Sequence, residues 1–355
     1  MGDSSNFADQ LKAEPLRWAL IADDLTGAAD AAVEFCEAGF SVSVSLTEDS
    51  VRGSDAEICA ITSESRELDE GAARESIRRW ATILRRAGRR VVFMKVDSML
   101  RGNGAAETVE LVHSFDFARA VLCPALPRLG RICRDGYLRT QDDRDVLLPT
   151  DQALVTPDAE TDEDLARIAA GILAAEEALL PAGSSGLARP WARELARLRG
   201  RSARKPQPPV ADRPTLCVIG SVHARSLEQM AHAVSIGALE QVDANRLGSG
   251  TAERSQLLRA TIGAIPDGWA EQLCNAIASG RFGSLVLSGG STAGLVFDAL
   301  GVQAFDIGGS TTAGAPWGTI RGRIGDGLTV VTKSGAFGDP DELARIVQSL
   351  NREGA

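Results

Sequence analysis

The sequence predicts an α/β protein of two domains, each with a largely parallel or mixed β-sheet flanked by helices. Short apolar runs alternate with longer segments of helical periodicity in both halves of the 355-residue chain, and this alternation is typical of parallel sheets. Several apolar runs end in polar turns, where open α/β sheets bind their ligands. A proline-rich polar segment divides the chain. We therefore expect domains at residues 15–200 and 215–355, joined by a linker at 201–214.

Composition argues against several classes of protein. The net charge of −10 disfavours nucleic acid and anionic membrane surfaces as partners. No apolar run reaches the roughly 20 residues needed to cross a bilayer. The six cysteines stand singly, without metal-ligand spacing, and the N-terminus lacks the apolar core of a signal peptide. We therefore expect a cytoplasmic protein with reduced thiols, no nucleic-acid partner and no membrane association.

Residues 17–35 predict a strand, a tight turn and a helix. The apolar run ends at two adjacent carboxylates, Asp23 and Asp24, and an alanine-rich segment follows Thr26 and Gly27. Two neighbouring carboxylates in a crevice are costly unless they meet a cation, a hydroxyl group or a basic side chain. The alternative is that they only cap the helix, for which one acid would suffice.

Three further polar segments follow apolar runs in the first half. Arg66 ends the first of them and is a candidate clamp for a carboxylate, since guanidinium binds carboxylates bidentately. The next run leads into a dense cluster with two glycines: Lys95, Asp97, Ser98, Arg101 and Asn103. The third segment is a loop in which prolines and Gly130 are expected to hold Arg131 rigidly.

Lysine is scarce in this arginine-rich chain. Only four lysines occur among the 38 basic residues, and two of them, Lys95 and Lys333, come at the ends of apolar runs. A lysine at such a place indicates a site that needs a compact ammonium group rather than a planar guanidinium. Chance placement is the alternative.

The second half contains three glycine-bearing turns after apolar runs. They are Gly220-Ser221, Gly289-Gly290-Ser291-Thr292 and Lys333-Ser334-Gly335. Glycines let the backbone approach a phosphate, and a helix N-terminus supplies oriented N–H donors. No Walker A sequence, protein-kinase loop or dinucleotide fingerprint is present. The last helix is predicted to begin with Asp339 as its N-cap and Glu342 completing a capping box.

The order of these motifs resembles that of the four-carbon acid sugar kinases over about residues 17–350. The matching segments are Asp23–Ala28, Ser65-Arg66, Lys95–Asn103, Gly130-Arg131, Gly220-Ser221, Gly289–Thr292 and Lys333–Gly338. This sequence departs from the family pattern where Val96 and Met99 replace threonines, His223 replaces a serine and Ser291 replaces a glutamate. The departure at Met99 leaves fine substrate specificity open.

The resemblance implies ATP-dependent phosphorylation of the terminal 4-hydroxyl of a four-carbon sugar acid such as threonate, erythronate or 3-dehydrotetronate. It implies an active site in the interdomain cleft, ATP and Mg²⁺ as cofactors, and a homodimer as the candidate assembly. We expect Asp24, Asp23 or Asp97 to orient or deprotonate the hydroxyl. The acid would be held by Arg66, Lys95, Ser98, Arg101, Gly130 and Arg131. The nucleotide would be held by Ser221, Gly289, Gly290, Ser291, Thr292, Lys333, Ser334 and Gly335.

Two alternatives stay open at this point. One is a kinase of another small hydroxy acid, which Met99 and the short spacer between the domains suggest. The other is a non-catalytic regulator that binds a sugar acid or a nucleotide. It is suggested by the departures at His223 and Ser291, and by Ala336, which stands where the family has an asparagine. A nicotinamide-dependent oxidoreductase is disfavoured because its glycine fingerprint is missing. The metal ligands, the stereochemistry of the acid and the identity of the general base are also left open.

Overall fold

The computed structural model describes residues 6–141, 145–243, 247, 254–260 and 268–351. The chain forms two compact units, residues 1–204 and 205–355. The boundary between the units falls inside the proline-rich segment 201–214.

The first unit alternates strands with helices. Its strands are β1 (Trp18–Ala22), β2 (Val42–Ser45), β3 (Ile58–Thr62), β4 (Arg90–Lys95), β5 (Arg119–Cys123), β6 (Ile132–Arg134), β7 (Tyr137–Arg139), β8 (Val146–Leu147), β9 (Leu154–Val155) and β10 (Leu179–Gly183). Its helices are α1 (Phe7–Ala13), α2 (Leu25–Glu37), α3 (Glu48–Gly53), α4 (Glu70–Arg86), α5 (Gly104–Ser114), α6 (Asp162–Ala174) and α7 (Ser185–Leu198).

The main sheet of the first unit is parallel, with the strand order β2-β3-β1-β4-β10-β5-β9. Strands β6, β7 and β8 form a separate antiparallel sheet. The chain places β2 and β3 on one side of β1 and then crosses to β4 on the other side. The topological switch point of this sheet therefore lies at the carboxyl ends of β1 and β4, where open α/β sheets bind ligands.

The second unit contains a mixed sheet. Its strands are β11 (Thr215–Ile219), β12 (Glu240–Val242), β13 (Gln256–Arg259), β14 (Ser284–Ser288), β15 (Val302–Thr312), β16 (Ala315–Gly322) and β17 (Thr329–Lys333). Its helices are α8 (Ala224–Ser235), α9 (Trp269–Ala278), α10 (Gly290–Leu300) and α11 (Glu342–Leu350). The strands stand in the order β12-β13-β11-β14-β17-β16-β15, and among these described strands only β16 runs opposite to the others.

Both sheets are covered by apolar side chains, as the apolar runs predict. All five residues of β1, and all five of β14, are buried, which is typical of parallel strands packed on both faces. Trp191 of α7 is buried against Phe7, and its indole N–H donates to the Val92 carbonyl at 2.8 Å. The predicted α/β class with largely parallel or mixed sheets is confirmed. No helix among the described residues is both long and apolar enough to span a bilayer.

The predicted start of the last helix is wrong. Helix α11 begins at Glu342 after Asp341, and no side chain caps it. The Glu342 carboxylate is buried and accepts hydrogen bonds from Thr312 and from Arg345 instead of turning back to the helix start. Tertiary partners therefore outcompete the local capping box that the spacing predicts.

Candidate functional site

A cluster of acidic and basic side chains lies at the carboxyl ends of β1, β3 and β4. The Arg66 guanidinium holds Asp23 bidentately, with Nε donating to Oδ2 at 2.9 Å and Nη2 to Oδ1 at 2.7 Å. Its Nη1 donates to Asp24 Oδ2, and Nη2 lies 3.8 Å from Asp97 Oδ1. One arginine thus joins the three aspartates that the sequence singles out.

The turn after β1 is built around Asp24 and Gly27. Asp24 caps α2, because its Oδ1 accepts from the Gly27 N–H at 2.7 Å and its Oδ2 from the Thr26 hydroxyl at 3.0 Å. A Cβ at Gly27 would lie 2.5 Å from Asp24 Oδ1 and 3.4 Å from Lys95 Nζ. Glycine at this position therefore leaves room for the capping carboxylate of Asp24, with the ammonium group of Lys95 nearby. Lys95 is buried and donates to the Val96 carbonyl at 3.1 Å.

Asp23 and Asp97 differ in pKa, and the three aspartates differ in access. Burial raises the pKa of Asp23, although its contact with Arg66 opposes this. Burial also acts to raise the pKa of Asp97, but Arg101, which donates to its two oxygens at 3.0 and 2.7 Å, holds that pKa well below its usual range. The side chains of Asp23, Asp97 and Asp24 are 0%, 8% and 17% exposed. Asp24 is therefore the aspartate most open to a ligand.

The loop after β5 reaches the same cluster. Gly130 has a positive φ of 63°, and a Cβ there would collide with the side chain of Gln141. This tight turn presents Arg131, whose Nη1 donates to the Ser98 hydroxyl. The acid-binding residues that the sequence predicts are thus connected through Arg66 and Arg131, with Lys95 beside them.

The three glycine turns of the second unit touch one another. A Cβ at Gly220 would collide with the Thr292 hydroxyl and lie 2.5 Å from the Ala260 carbonyl oxygen. A Cβ at Gly335 would lie 2.7 Å from Ser221 Cβ. Gly289, at φ 106°, donates its N–H to the Lys333 carbonyl at 3.1 Å. The turns after β11, β14 and β17 therefore form one continuous surface.

This surface carries donors for an anion. Helix α10 begins after Gly289 without a side-chain cap, so the first N–H groups of the helix, including that of the exposed Ser291, have no partner within it. Lys333 is buried beside them and donates to the Ser334 carbonyl at 3.0 Å. Burial lowers the pKa of Lys333 to about 8. A lysine held in this way favours an anion, which would restore its charged form.

Two residues in these regions have functions that the sequence analysis did not assign. His223 caps α8, because its Nδ1 accepts from the Arg225 N–H at 3.2 Å, and this is a structural role. Glu107 was missed altogether. It lies fully buried in the first turn of α5, and burial raises its pKa to about 7. The signal that could have found it is an acidic residue directly before the apolar face of a predicted helix.

Family models match both units. A model described as a sugar-binding N-terminal domain matches residues 18–149, and one described as a nucleotide-binding C-terminal domain matches residues 264–343. The first range contains the aspartate–arginine cluster. The second range contains the turns at Gly289 and Gly335. The two kinds of site that the residues indicate therefore fall within the matching halves.

Curated relatives are similar over nearly their whole length. The D-threonate kinase of Bordetella bronchiseptica is 30% identical, over 93% of this chain and 96% of the relative. The D-threonate kinase of Cupriavidus necator is 26% identical over 96% and 99%. The 3-oxo-tetronate kinase of Pectobacterium atrosepticum is 26% identical over 93% and 98%.

Two solved structures share the fold. A protein of Salmonella typhimurium superposes with a TM-score of 0.74 at 21% identity, over 95% of this chain and all of that one. A protein of Haemophilus influenzae superposes with a TM-score of 0.65 at 21% identity, over 92% and 99% of the two chains.

Proposed function

Because the chain belongs to the four-carbon acid sugar kinase family, we propose that it transfers the terminal phosphate of ATP to the 4-hydroxyl of a four-carbon sugar acid. The main support for the proposal is that the chain contains two different candidate sites, one in each unit. A cluster of aspartates and basic groups lies within the match to a sugar-binding domain, and two of the three glycine turns, those at Gly289 and Gly335, lie within the match to a nucleotide-binding domain. Threonate and 3-oxo-tetronate, the acids named for the relatives, are the first candidate substrates.

Basic groups beside the aspartate cluster are proposed to bind the acid. Arg66 was expected to clamp the carboxylate of the substrate, but its guanidinium is occupied by Asp23 and Asp24. We therefore assign Arg66 to orienting these aspartates. Lys95 forms no ion pair within 4 Å among the described residues, so we assign it, with Arg131, to the substrate's oxygens. Arg101 completes the set, since its side chain is 68% exposed while it holds Asp97.

Asp24 is the proposed base for the attacking hydroxyl. It is the most exposed of the three carboxylates, and Asp23 and Asp97 are each bound bidentately by an arginine. Phosphoryl transfer requires mainly positioning and neutralisation of charge, so the base needs only to orient the hydroxyl and accept its proton. The proposal requires that the hydroxyl held by the first unit reach the phosphate held by the second.

The nucleotide is proposed to lie on the glycine surface of the second unit. The free N–H groups at the start of α10 and the ammonium group of Lys333 would contact its phosphates. Magnesium keeps several waters and takes only one or two protein carboxylates beside substrate phosphates. Among the described residues, no group of three or more histidine, cysteine, aspartate or glutamate side chains is placed to hold a metal ion. The ion would then be held mainly by the phosphates and would neutralise their charge.

The test is ADP release measured over a panel of acids. We expect turnover with at least one of the D- and L-threonates, erythronates and 3-oxo-tetronate, and a product that carries phosphate on the terminal CH₂ by ³¹P–¹H coupling. Turnover confined to three- or five-carbon hydroxy acids would favour the alternative kinase. Binding of acid or nucleotide without turnover would favour the regulator. The homodimer also stays a prediction, which light scattering of the purified protein would check.

Nucleotide affinity is expected to fall at alkaline pH. Because burial lowers the pKa of Lys333 to about 8, the side chain is charged below that pH and increasingly neutral above it. A bound phosphate favours the charged form, so binding takes up a proton near pH 8, and affinity is constant below and declines above. Calorimetry in buffers of different ionisation enthalpy measures this uptake. Lys333→Met should abolish it, whereas the control Lys205→Met, at an exposed lysine, should not.

A further inference from the structure

Glu107 has no part in the proposed reaction, yet it lies directly behind the aspartate cluster. Its Oε1 forms a hydrogen bond with the Ser65 hydroxyl and lies 3.4 Å from the Ser63 hydroxyl. Its Oε2 is buried and has no hydrogen-bond partner among the described residues. A buried carboxylate with an unpaired oxygen is strongly destabilised, whereas a neutral carboxylic acid in the same place is not.

The three links of the hydrogen-bond chain at Glu107 require one proton more than the two serine hydroxyls supply. It runs from Glu107 Oε1 to Ser65 Oγ, from there to Ser63 Oγ at 2.7 Å, and on to the Ala22 carbonyl oxygen at 3.0 Å. These are three oxygen–oxygen links. Each serine hydroxyl has one proton, and a carbonyl oxygen only accepts. The third proton must therefore come from Glu107.

The charges around Glu107 also favour its neutral form. Asp23, at the end of β1, repels a second negative charge, while Arg66 attracts it more weakly. On the neighbouring α4, Arg74 is paired with Glu70 and lies 3.9 Å from Glu110. No ion pair among the described residues includes Glu107. Burial is the largest effect and raises its pKa to about 7.

The same chain connects Glu107 to the residues that hold the aspartates. The Ser65 N–H donates to the Asp23 carbonyl at 3.2 Å, and Arg66 follows directly. We propose that Glu107 carries a proton in the functional protein and, in that form, positions the Ser65-Arg66 turn that orients Asp23 and Asp24. Glu107 is thus a positioning residue. Its kinetic consequence, though not its protonation, rests on the proposed kinase function.

The pH dependence of thermal stability tests whether Glu107 is protonated, without any assay of activity. An unfolded glutamate ionises near its usual pKa of about 4.3, whereas the folded one holds its proton up to about pH 7. Wild-type stability should therefore decline between these values relative to Glu107→Gln, which cannot ionise. We expect the Tm of Glu107→Gln minus that of the wild type to increase from pH 5 to pH 7 and then to stay constant. A difference that does not change with pH would overturn the proposal.

A kinetic series tests the positioning role. Glu107→Gln keeps a donor to Ser65, so it should retain wild-type kcat/KM for the acid at pH 6.5. Above about pH 7, the wild type should lose kcat/KM while Glu107→Gln retains it. Glu107→Leu removes the chain and should lower kcat/KM for the acid about a hundredfold, the cost of a misplacement of about 1 Å, with the KM for ATP unchanged. An equal loss in Glu107→Gln and Glu107→Leu would overturn the role.

Two further measurements keep the outcomes separate. Glu110→Gln removes another buried carboxylate of α5 that pairs with Arg78, so it controls for loss of charge and should leave the pH profile of kcat/KM unchanged. The ¹³C shift of the Glu107 carboxyl, identified by its absence in Glu107→Gln, should report a protonated acid at pH 6 in the wild type. An ionised signal at that pH would overturn the proposal. If no four-carbon acid is phosphorylated, the proposed function fails, while the Tm and ¹³C results still decide whether Glu107 is protonated.

Discussion

Asp24→Asn is expected to reduce turnover by about 10²–10⁴-fold, the usual contribution of a general base. Asparagine keeps the oxygen that accepts from the Gly27 N–H at 2.7 Å and is itself a good N-cap, so α2 and the fold should survive. The negative charge that accepts the proton of the hydroxyl is lost. Steady-state kinetics of ADP release measure the effect, and calorimetry should show unchanged nucleotide affinity, because the nucleotide is proposed to bind the second unit.

Asp30→Asn is the matched control for Asp24→Asn. It makes the same change of charge on the same helix, beyond the turn that holds Asp24, and should leave kcat unchanged. Near-normal turnover in Asp24→Asn would remove Asp24 from the mechanism and leave Asp97 or Asp23 as the base. Loss of both turnover and thermal stability would assign Asp24 to capping alone.

Gly220→Ala is expected to weaken nucleotide binding without unfolding the protein. The new Cβ would collide with the Thr292 hydroxyl and lie 2.5 Å from the Ala260 carbonyl oxygen. Because this oxygen belongs to the backbone, only a movement of the turn can relieve the contact. Overpacking of this kind costs about 1–3 kcal/mol. If all of this free energy is lost from phosphate binding, the affinity for ATP falls about 5- to 150-fold. Calorimetric titration with ATP measures the loss, and binding of the acid should persist.

Gly294→Ala controls for the loss of a glycine near the same turn. Gly294 lies in α10, and a Cβ there would meet nothing within 4 Å. Alanine is favoured over glycine in a helix by about 0.8–1.0 kcal/mol, so Tm should rise or stay level and nucleotide affinity should be unchanged. Equal affinities for wild type and Gly220→Ala would exclude the turn after β11 from the phosphate surface.

The elements and their order could be predicted because their signals are local. The strand, turn and helix predicted for residues 17–35 coincide with β1 and α2. A buried parallel strand must be apolar on both faces, and a helix must begin where a side chain such as that of Asp24 can cap it. Polar strand ends were identified for the same reason, since few other positions place charged groups directly after buried strands.

The partners of the charged groups could not be predicted. The expected contact of Arg66 with a substrate carboxylate stays a prediction, and its partnership with Asp23, which lies 43 positions earlier, was not foreseen. Glu342 was expected to complete a cap, but it meets Thr312. An arginine or a glutamate can reach many groups at similar cost, and the choice depends on which elements the sheet order places side by side. No short-range pattern contains that information.

The amino-acid order by itself determined the α/β class, the division near residues 201–214 and the set of strand ends that carry polar groups, because burial and backbone geometry act over a few residues. Only the tertiary structure decided that one guanidinium joins three aspartates, that Glu107 is enclosed behind these aspartates, and that the turns at Gly220, Gly289 and Gly335 of the second unit touch. Burial and pairing set the protonation of a carboxylate, and both arise only when distant segments pack together.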